Sequence, residues 1–319
     1  MAAILFLILF SGIPVSATYA GDNPLKNVFS SDITGGYCYT TGNSAYSGTL
    51  APGDSWTAKM PVTLPDDAAP LYSRLFIYWA WSKDGQKAAY PCIIPALENA
   101  SLSADPFSRY TDTKGFVSRN DFFSGMDAFT ISGLTGGENA VTLTVTNTHP
   151  ENATLVIQGA GILSVYEAET GTAGSIWVNE GCDMLFSSYG VTPEMATGTI
   201  IFPGETVTEE VSRATLHLVA PSAGYTSANT PEKNVIMVNR PAENSLPLFF
   251  ERILTMLFPG YNGWEWTDGF SSDEVHQVGE DLRDISPYLR SRDNTVTVRD
   301  NGDYLLLTNG ILWIEKEAD

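Results

Sequence analysis

Asn139-Ala140-Val141-Thr142-Leu143-Thr144-Val145 and Asn294-Thr295-Val296-Thr297-Val298 are versions of one strand written twice. In both, an Asn leads an alternation of β-branched and apolar residues. In the first, Val141, Leu143 and Val145 are expected to face a core, with Thr142 and Thr144 facing water. A turn stands ahead of each strand, Ile131-Ser132-Gly133-Leu134 in one case and Ile285-Ser286-Pro287-Tyr288-Leu289 in the other. Each unit closes on Gly-Ile-Leu, at Gly161-Ile162-Leu163 and at Gly310-Ile311-Leu312. Ser73 to Trp81 is a strong strand, and its Ser-Arg opening is echoed by Ser212 to Ala220. Repeats constrain the fold before individual residues do. The pattern predicts an all-β chain of two tandem, duplicated antiparallel β-sandwich domains of jelly-roll-like form.

The 319 residues fit two domains of the usual size. The small-residue stretch Gly171 to Ser175 sets the boundary, giving a first domain over 21–170 and a second over 171–319. Residues 91–123, broken by Pro, Asn, Ser and Asp, are expected to be long loops at one end of the first sandwich. Ser245 to Phe258 departs from the β pattern. Pro247 suits a first helical turn and Pro259-Gly260 a stop, so one inserted apolar helix is predicted in the second domain.

Ala2 to Ile13 is apolar and is followed by Pro14 and Ala17-Thr18-Tyr19-Ala20, the form of an export signal with cleavage near Gly21. Residues 1–20 are therefore expected to be a signal peptide. The mature chain then has no membrane span and is extracellular or at the cell surface. Only 17% of residues are charged, yet the net charge is -20. That field repels phosphate backbones and excludes a nucleic-acid partner. It also attracts Ca²⁺, the one cofactor the composition leaves open. Cys38, Cys92 and Cys182 are odd in number, and an oxidising compartment favours Cys38 with Cys92 as a disulfide. Asn99 and Asn152 begin N-x-[ST] sequons, so glycosylation is expected there.

Catalytic patterns are missing from the sequence. His149, His217 and His276 are scattered, and no zinc spacing, nucleophile elbow or phosphate-binding loop occurs. No catalytic residue and no metal ligand is assigned. Asp300-Asn301-Gly302-Asp303 lies between two strands and reads as a hairpin turn, not a Ca²⁺ loop. The loop Tyr261 to Gly269 is the most suggestive. Tyr261, Trp264 and Trp266 offer ring faces for a sugar, and Asn262, Glu265 and Asp268 offer hydrogen bonds to its hydroxyls.

Trp177-Val178-Asn179-Glu180-Gly181, followed by Asp183, is the sharpest landmark. With the Asn139 and Asn294 strand entries, it resembles exported surface proteins of methanogenic archaea catalogued as a domain of unknown function. The resemblance implies a secreted or envelope-associated β-protein and carries no activity. Cys182 stands where that family often has His. The expected function is a non-catalytic envelope module, adhesive, structural or binding, whose partners are envelope components or glycans. Carbohydrate binding by the Tyr261 to Trp266 loop is the first alternative, and a glycan-active hydrolase or lyase the second.

Overall fold

The computed structural model describes residues 21–112, 121–188, 190–224, 233–240 and 264–317. The first half contributes β1 (Lys26–Thr40), β2 (Thr49–Leu50), β3 (Ser55–Leu64), β4 (Ala69–Asp84), β5 (Lys87–Ala88) and β6 (Ile93–Glu98). It continues with β7 (Ser101–Leu102), β8 (Ser108–Asp112), β9 (Phe123–Ser132), β10 (Gly137–Asn147) and β11 (Thr154–Glu167). The second half contributes β12 (Thr172–Leu185), β13 (Thr197–Glu205), β14 (Val211–Pro221) and β15 (Asn234–Val238). The last four are β16 (Trp264–Trp266), β17 (Val278–Asp284), β18 (Arg292–Asp300) and β19 (Leu305–Lys316). Among the described residues the only helical pieces are two single 3-10 turns. The helix expected at Ser245 to Phe258 lies outside them.

One antiparallel sheet of 12 strands runs through both halves, with its main path in the order β17-β14-β19-β12-β1-β11-β4-β9-β7. Its midpoint is the β1–β12 pair, in which Ser31 lies opposite Ile176. A small sheet, β3-β10-β6, covers one half, and another, β13-β18-β15-β16, covers the other. Outward from the midpoint, the strands run β1-β11-β4-β9 on one side and β12-β19-β14-β17 on the other. The stretch at 171–175 is not an open linker. It makes the turn into β12 and the first rungs of the β1 pairing, with Ala173 opposite Thr34.

In the small sheets, β3, β10 and β18 alternate because only one face is covered. In β3, Trp56, Ala58, Met60, Val62 and Leu64 are buried while their neighbours are exposed. Val141, Leu143 and Val145 of β10 point into the same core, as their spacing predicts. The central strands do not alternate. Twelve consecutive interior positions of β11 are almost all buried, because one face packs under a small sheet and the other against the opposite half.

That second contact makes a seam. Phe76, Leu163 and Val165 from the first half meet Val178, Val219 and Ile311 from the second. Tyr78 of β4 donates to Asn309 Oδ1 of β19 at 2.8 Å. Four strand spacings separate β4 from β19 in the sheet, about 19 Å if the sheet were flat. The central sheet therefore curls until its halves face each other, with a small sheet outside each.

The repeated Asn has a common job. Asn139 Oδ1 accepts from Thr135 N at 3.0 Å and its Nδ2 donates to Thr135 O at 2.8 Å. Asn294 Oδ1 accepts from Arg290 N at 2.8 Å and its Nδ2 donates to Arg290 O at 3.0 Å. Each side chain closes a reciprocal ring on the residue four positions earlier, which holds the turn before the strand. Other matched residues do not share positions. Ile162 packs under the first small sheet, but Ile311 lies in the seam. A shift of one residue changes the face, so the two Gly-Ile-Leu endings are not in equivalent register. The Ser-Arg echo also diverges: Arg74 lies buried opposite Leu163, and Arg213 lies exposed opposite Glu315.

Three strands, β6, β7 and β8, occupy the region expected to be loops. Pro95 masked β6 in the sequence. It is tolerated because β6 is an edge strand, where one row of backbone groups needs no partner. The expected Cys38–Cys92 disulfide is not formed, and all three cysteines are free thiols. Cys38 is held in β1 opposite Ser164 and packs on the first core, whereas Cys92 is exposed ahead of β6.

Candidate functional site

Trp264, Glu265 and Trp266 form β16, the edge strand of the second small sheet, while Tyr261 and Asn262 lie outside the described residues. Trp264 is opposite Val238 and Trp266 opposite Ile236, so both indoles stand on the core-facing side. They have different roles. Trp266 packs against the core, with Arg283 above its ring at 4.9 Å. Trp264 is 41% exposed and stacks on Tyr288, centroids 5.2 Å apart and planes 27° from parallel. Tyr288 also meets Trp266 edge-on, which fixes the orientation of the stack.

Polar groups frame this ledge. Arg283 donates to Asp281 at 2.6 Å and to Asp268 at 3.0 Å, so Asp268 is held beside Trp266. Asn239, next to the residue opposite Trp264, donates to Tyr288 O at 2.6 Å. Arg290 donates to Asn239 O, bringing an exposed guanidinium to the same corner. Glu265 points to the other face, 3.5 Å from Arg240 and 3.8 Å from Arg299. The structure thus gathers Trp264, Trp266 and Asp268 on one side and puts Glu265 on the other. Tyr288, Arg283 and Arg290 were missed in the sequence because they come from a turn and a strand distant along the chain.

The seam holds a second polar cluster. Glu180, fully buried on β12, accepts from Arg74 Nε at 3.0 Å and Nη2 at 2.9 Å. It also accepts from Tyr72 and Tyr110, both at 3.0 Å. A carboxylate offers about four lone-pair positions. All are taken, so Glu180 ties the halves together and has no position left for a substrate. Burial, and then the charge of Glu180, raises both phenols, Tyr110 to about 12. Further along the seam, Tyr39 and Tyr78 share a 3.0 Å hydrogen bond, and burial raises both strongly. His217 is buried and lies 3.1 Å from Glu280.

The turn at Asp300 is not the expected hairpin, because β18 and β19 lie in different sheets and do not pair. It carries the chain from one to the other, with the Asp300 carboxylate accepting from Gly302 N, Asp303 N and Tyr304 N at 3.0, 2.7 and 3.2 Å. Of the sequon residues, Asn152 is exposed ahead of β11. Asn99 occupies a tight turn at φ 64°, where its Nδ2 donates to Ala140 O at 2.8 Å. Among the described residues, one acidic group is arranged as a cation could use it: Asp22, Asp112 and Asp183, with carboxylate oxygens within 4.8 Å of one another. No described helix is long and apolar enough to cross a membrane.

A family model described as "Protein of unknown function (DUF3344)" matches residues 18–315. No curated protein matches the chain. Among solved structures, a β-porphyranase of glycoside hydrolase family 86 from the human gut bacterium Bacteroides plebeius matches with a TM-score of 0.21 and 14% identity. That match covers 88% of this chain and 38% of the enzyme. At that TM-score the likeness supports no conclusion about fold or activity.

Proposed function

The chain belongs to the family described as protein of unknown function (DUF3344), and from its surfaces we propose that it is a non-catalytic, envelope-associated binding module. The observation that carries this reading is the Trp264–Tyr288 stack, an exposed aromatic ledge on an edge strand. Exposed indole faces suit the apolar face of a pyranose, and Asp268, Arg283 and Arg290 supply polar groups for its hydroxyls. The seam supports a structural role for the buried charges, since Glu180 spends its acceptors within the fold.

The two halves are read as a tandem duplication. The matched strand order on either side of β1–β12 and the two Asn rings support it. Export and a cell-surface setting follow from the apolar N-terminal run and the acidic, polar surface. Both remain parts of this proposal.

The test is co-sedimentation with purified archaeal envelopes, alongside binding to the polysaccharides released from them. Wild type is retained, and Trp264→Ala loses at least about tenfold in affinity with an unchanged unfolding midpoint. Full retention by the folded Trp264→Ala protein removes the ledge from the account. Release of new reducing ends from the polysaccharide would overturn the non-catalytic reading.

A further inference from the structure

We propose that Asp22, Asp112 and Asp183, with the hydroxyl of Ser124, form a site for one Ca²⁺ ion that clasps the chain's entry strand to both halves. Three separate segments bring the carboxylates together. Asp112 ends β8, Asp183 lies on β12, and Asp22 belongs to the stretch leading into β1. Asn23 fixes that stretch by donating to Cys182 O at 2.6 Å and Thr111 O at 3.3 Å. Gly21 N donates to Met195 O at 3.1 Å from the other side. The exposed Asp22 therefore has a pinned backbone, while Asp112 and Asp183 are buried.

A bulge accounts for the placement of Asp183. Glu180 lies opposite Asn309 and Asp183 opposite Leu307, so β12 spends one residue more than β19 over this span. In a regular strand, residues three apart point to opposite faces. The extra residue turns both acids toward β8, where Glu180 meets Tyr110 and Asp183 meets Asp112. The two β8 residues are themselves two apart and share a face.

An independent observation points to a ligand. Ser124 lies directly opposite Asp112 in the β8–β9 pair, so the two side chains rise on one face with Cβ atoms about 5 Å apart. Ser124 is fully buried, and its Oγ has no hydrogen-bond partner. Buried hydroxyls are seldom left in that condition. Asp112 Oδ2 accepts from Met184 N at 2.8 Å, which orients the carboxylate. The donors are all oxygen, and three are carboxylates. That set suits a hard cation of flexible coordination, with water completing a shell of about six to eight ligands, and it favours Ca²⁺ over Mg²⁺ or softer metals.

The experiment is calorimetric titration of the purified protein with CaCl₂, with thermal unfolding followed in Ca²⁺ and in chelator. The expected result is one saturable site per chain and an unfolding midpoint that rises with Ca²⁺ and falls back with chelator. Asp22→Asn, at the exposed ligand, is expected to weaken binding at least about tenfold while the midpoint in chelator stays unchanged. Ser124→Ala weakens binding less. If Asp183→Asn fails to fold, Asp22→Asn still decides. Absence of saturable Ca²⁺ binding, or equal binding by wild type and Asp22→Asn, overturns the site.

Discussion

Arg74→Met is the substitution that probes the curled sheet most severely. Arg74 places two charge-assisted hydrogen bonds on Glu180, at 3.0 and 2.9 Å, and a third on Thr130 at 2.9 Å. Both partners of the ion pair are buried. Met keeps most of the side-chain volume and removes the charge, which strands a buried carboxylate with only Tyr72 and Tyr110 as donors. Removing one partner of such a pair costs about 3–5 kcal/mol. Replacing both partners by apolar groups avoids the stranded charge, so Arg74→Met/Glu180→Leu is expected to recover to within about 1–2 kcal/mol of wild type. Equilibrium urea unfolding at pH 7, followed by tryptophan fluorescence, reads all four corners of the cycle. A loss below about 1 kcal/mol for Arg74→Met would mean that water reaches Glu180 and that the seam is not closed.

Three further outcomes follow from the same contacts. Asn294→Ala is expected to cost about 2–3 kcal/mol in urea unfolding, because it breaks the ring with Arg290 and removes one of the two acceptors of the buried Asn239 amide, 2.8 Å away. Asn139→Ala, at a half-buried site, costs about 1–2 kcal/mol. Trp264→Ala leaves the unfolding midpoint unchanged, whereas Trp266→Ala lowers it because that indole packs on the second core. In alkali, Tyr72, Tyr78, Tyr39 and Tyr110 keep their protons in the folded state to higher pH than in the unfolded one. Their stabilisation is complete below about pH 10 and is lost as pH rises toward 12, at about 1.4 kcal/mol per unit for each tyrosine. Unfolding monitored against pH should steepen there, and a flat profile from pH 10 to 12 would show those phenols to be solvated.

Sequence pattern was informative where one face of a strand meets water. The alternation in β10 identified its inward residues, and the repeated Asn marked two strands that the fold places in the two small sheets. Alternation vanishes in β4 and β11 because both faces are covered, so the sequence reveals burial there without showing what lies on each side. The curl depends on pairs such as Arg74 with Glu180 and Tyr78 with Asn309, separated by 106 and 231 positions. No local period can encode such a contact. The landmark around Glu180 was visible, but its role was not: the bulge that turns Asp183 toward β8 exists only in the pairing with β19.

The aromatic ledge was half legible. Trp264 and Trp266 stood out in the sequence as a pair, yet the structure separates a packed indole from an exposed one and adds Tyr288 as the stacking partner. Both indoles lie opposite core residues, Trp266 opposite Ile236 and Trp264 opposite Val238, so the pairing pattern alone does not separate them. The difference lies in packing, with Trp266 against the core and Trp264 out over Tyr288.

The most direct measurement is the affinity of the protein for envelope polysaccharide, wild type against Trp264→Ala, with the unfolding midpoints of both determined in parallel. Equal midpoints with at least about a tenfold loss of affinity in the variant are the predicted result. Equal midpoints with equal affinity would contradict the ledge as the binding surface.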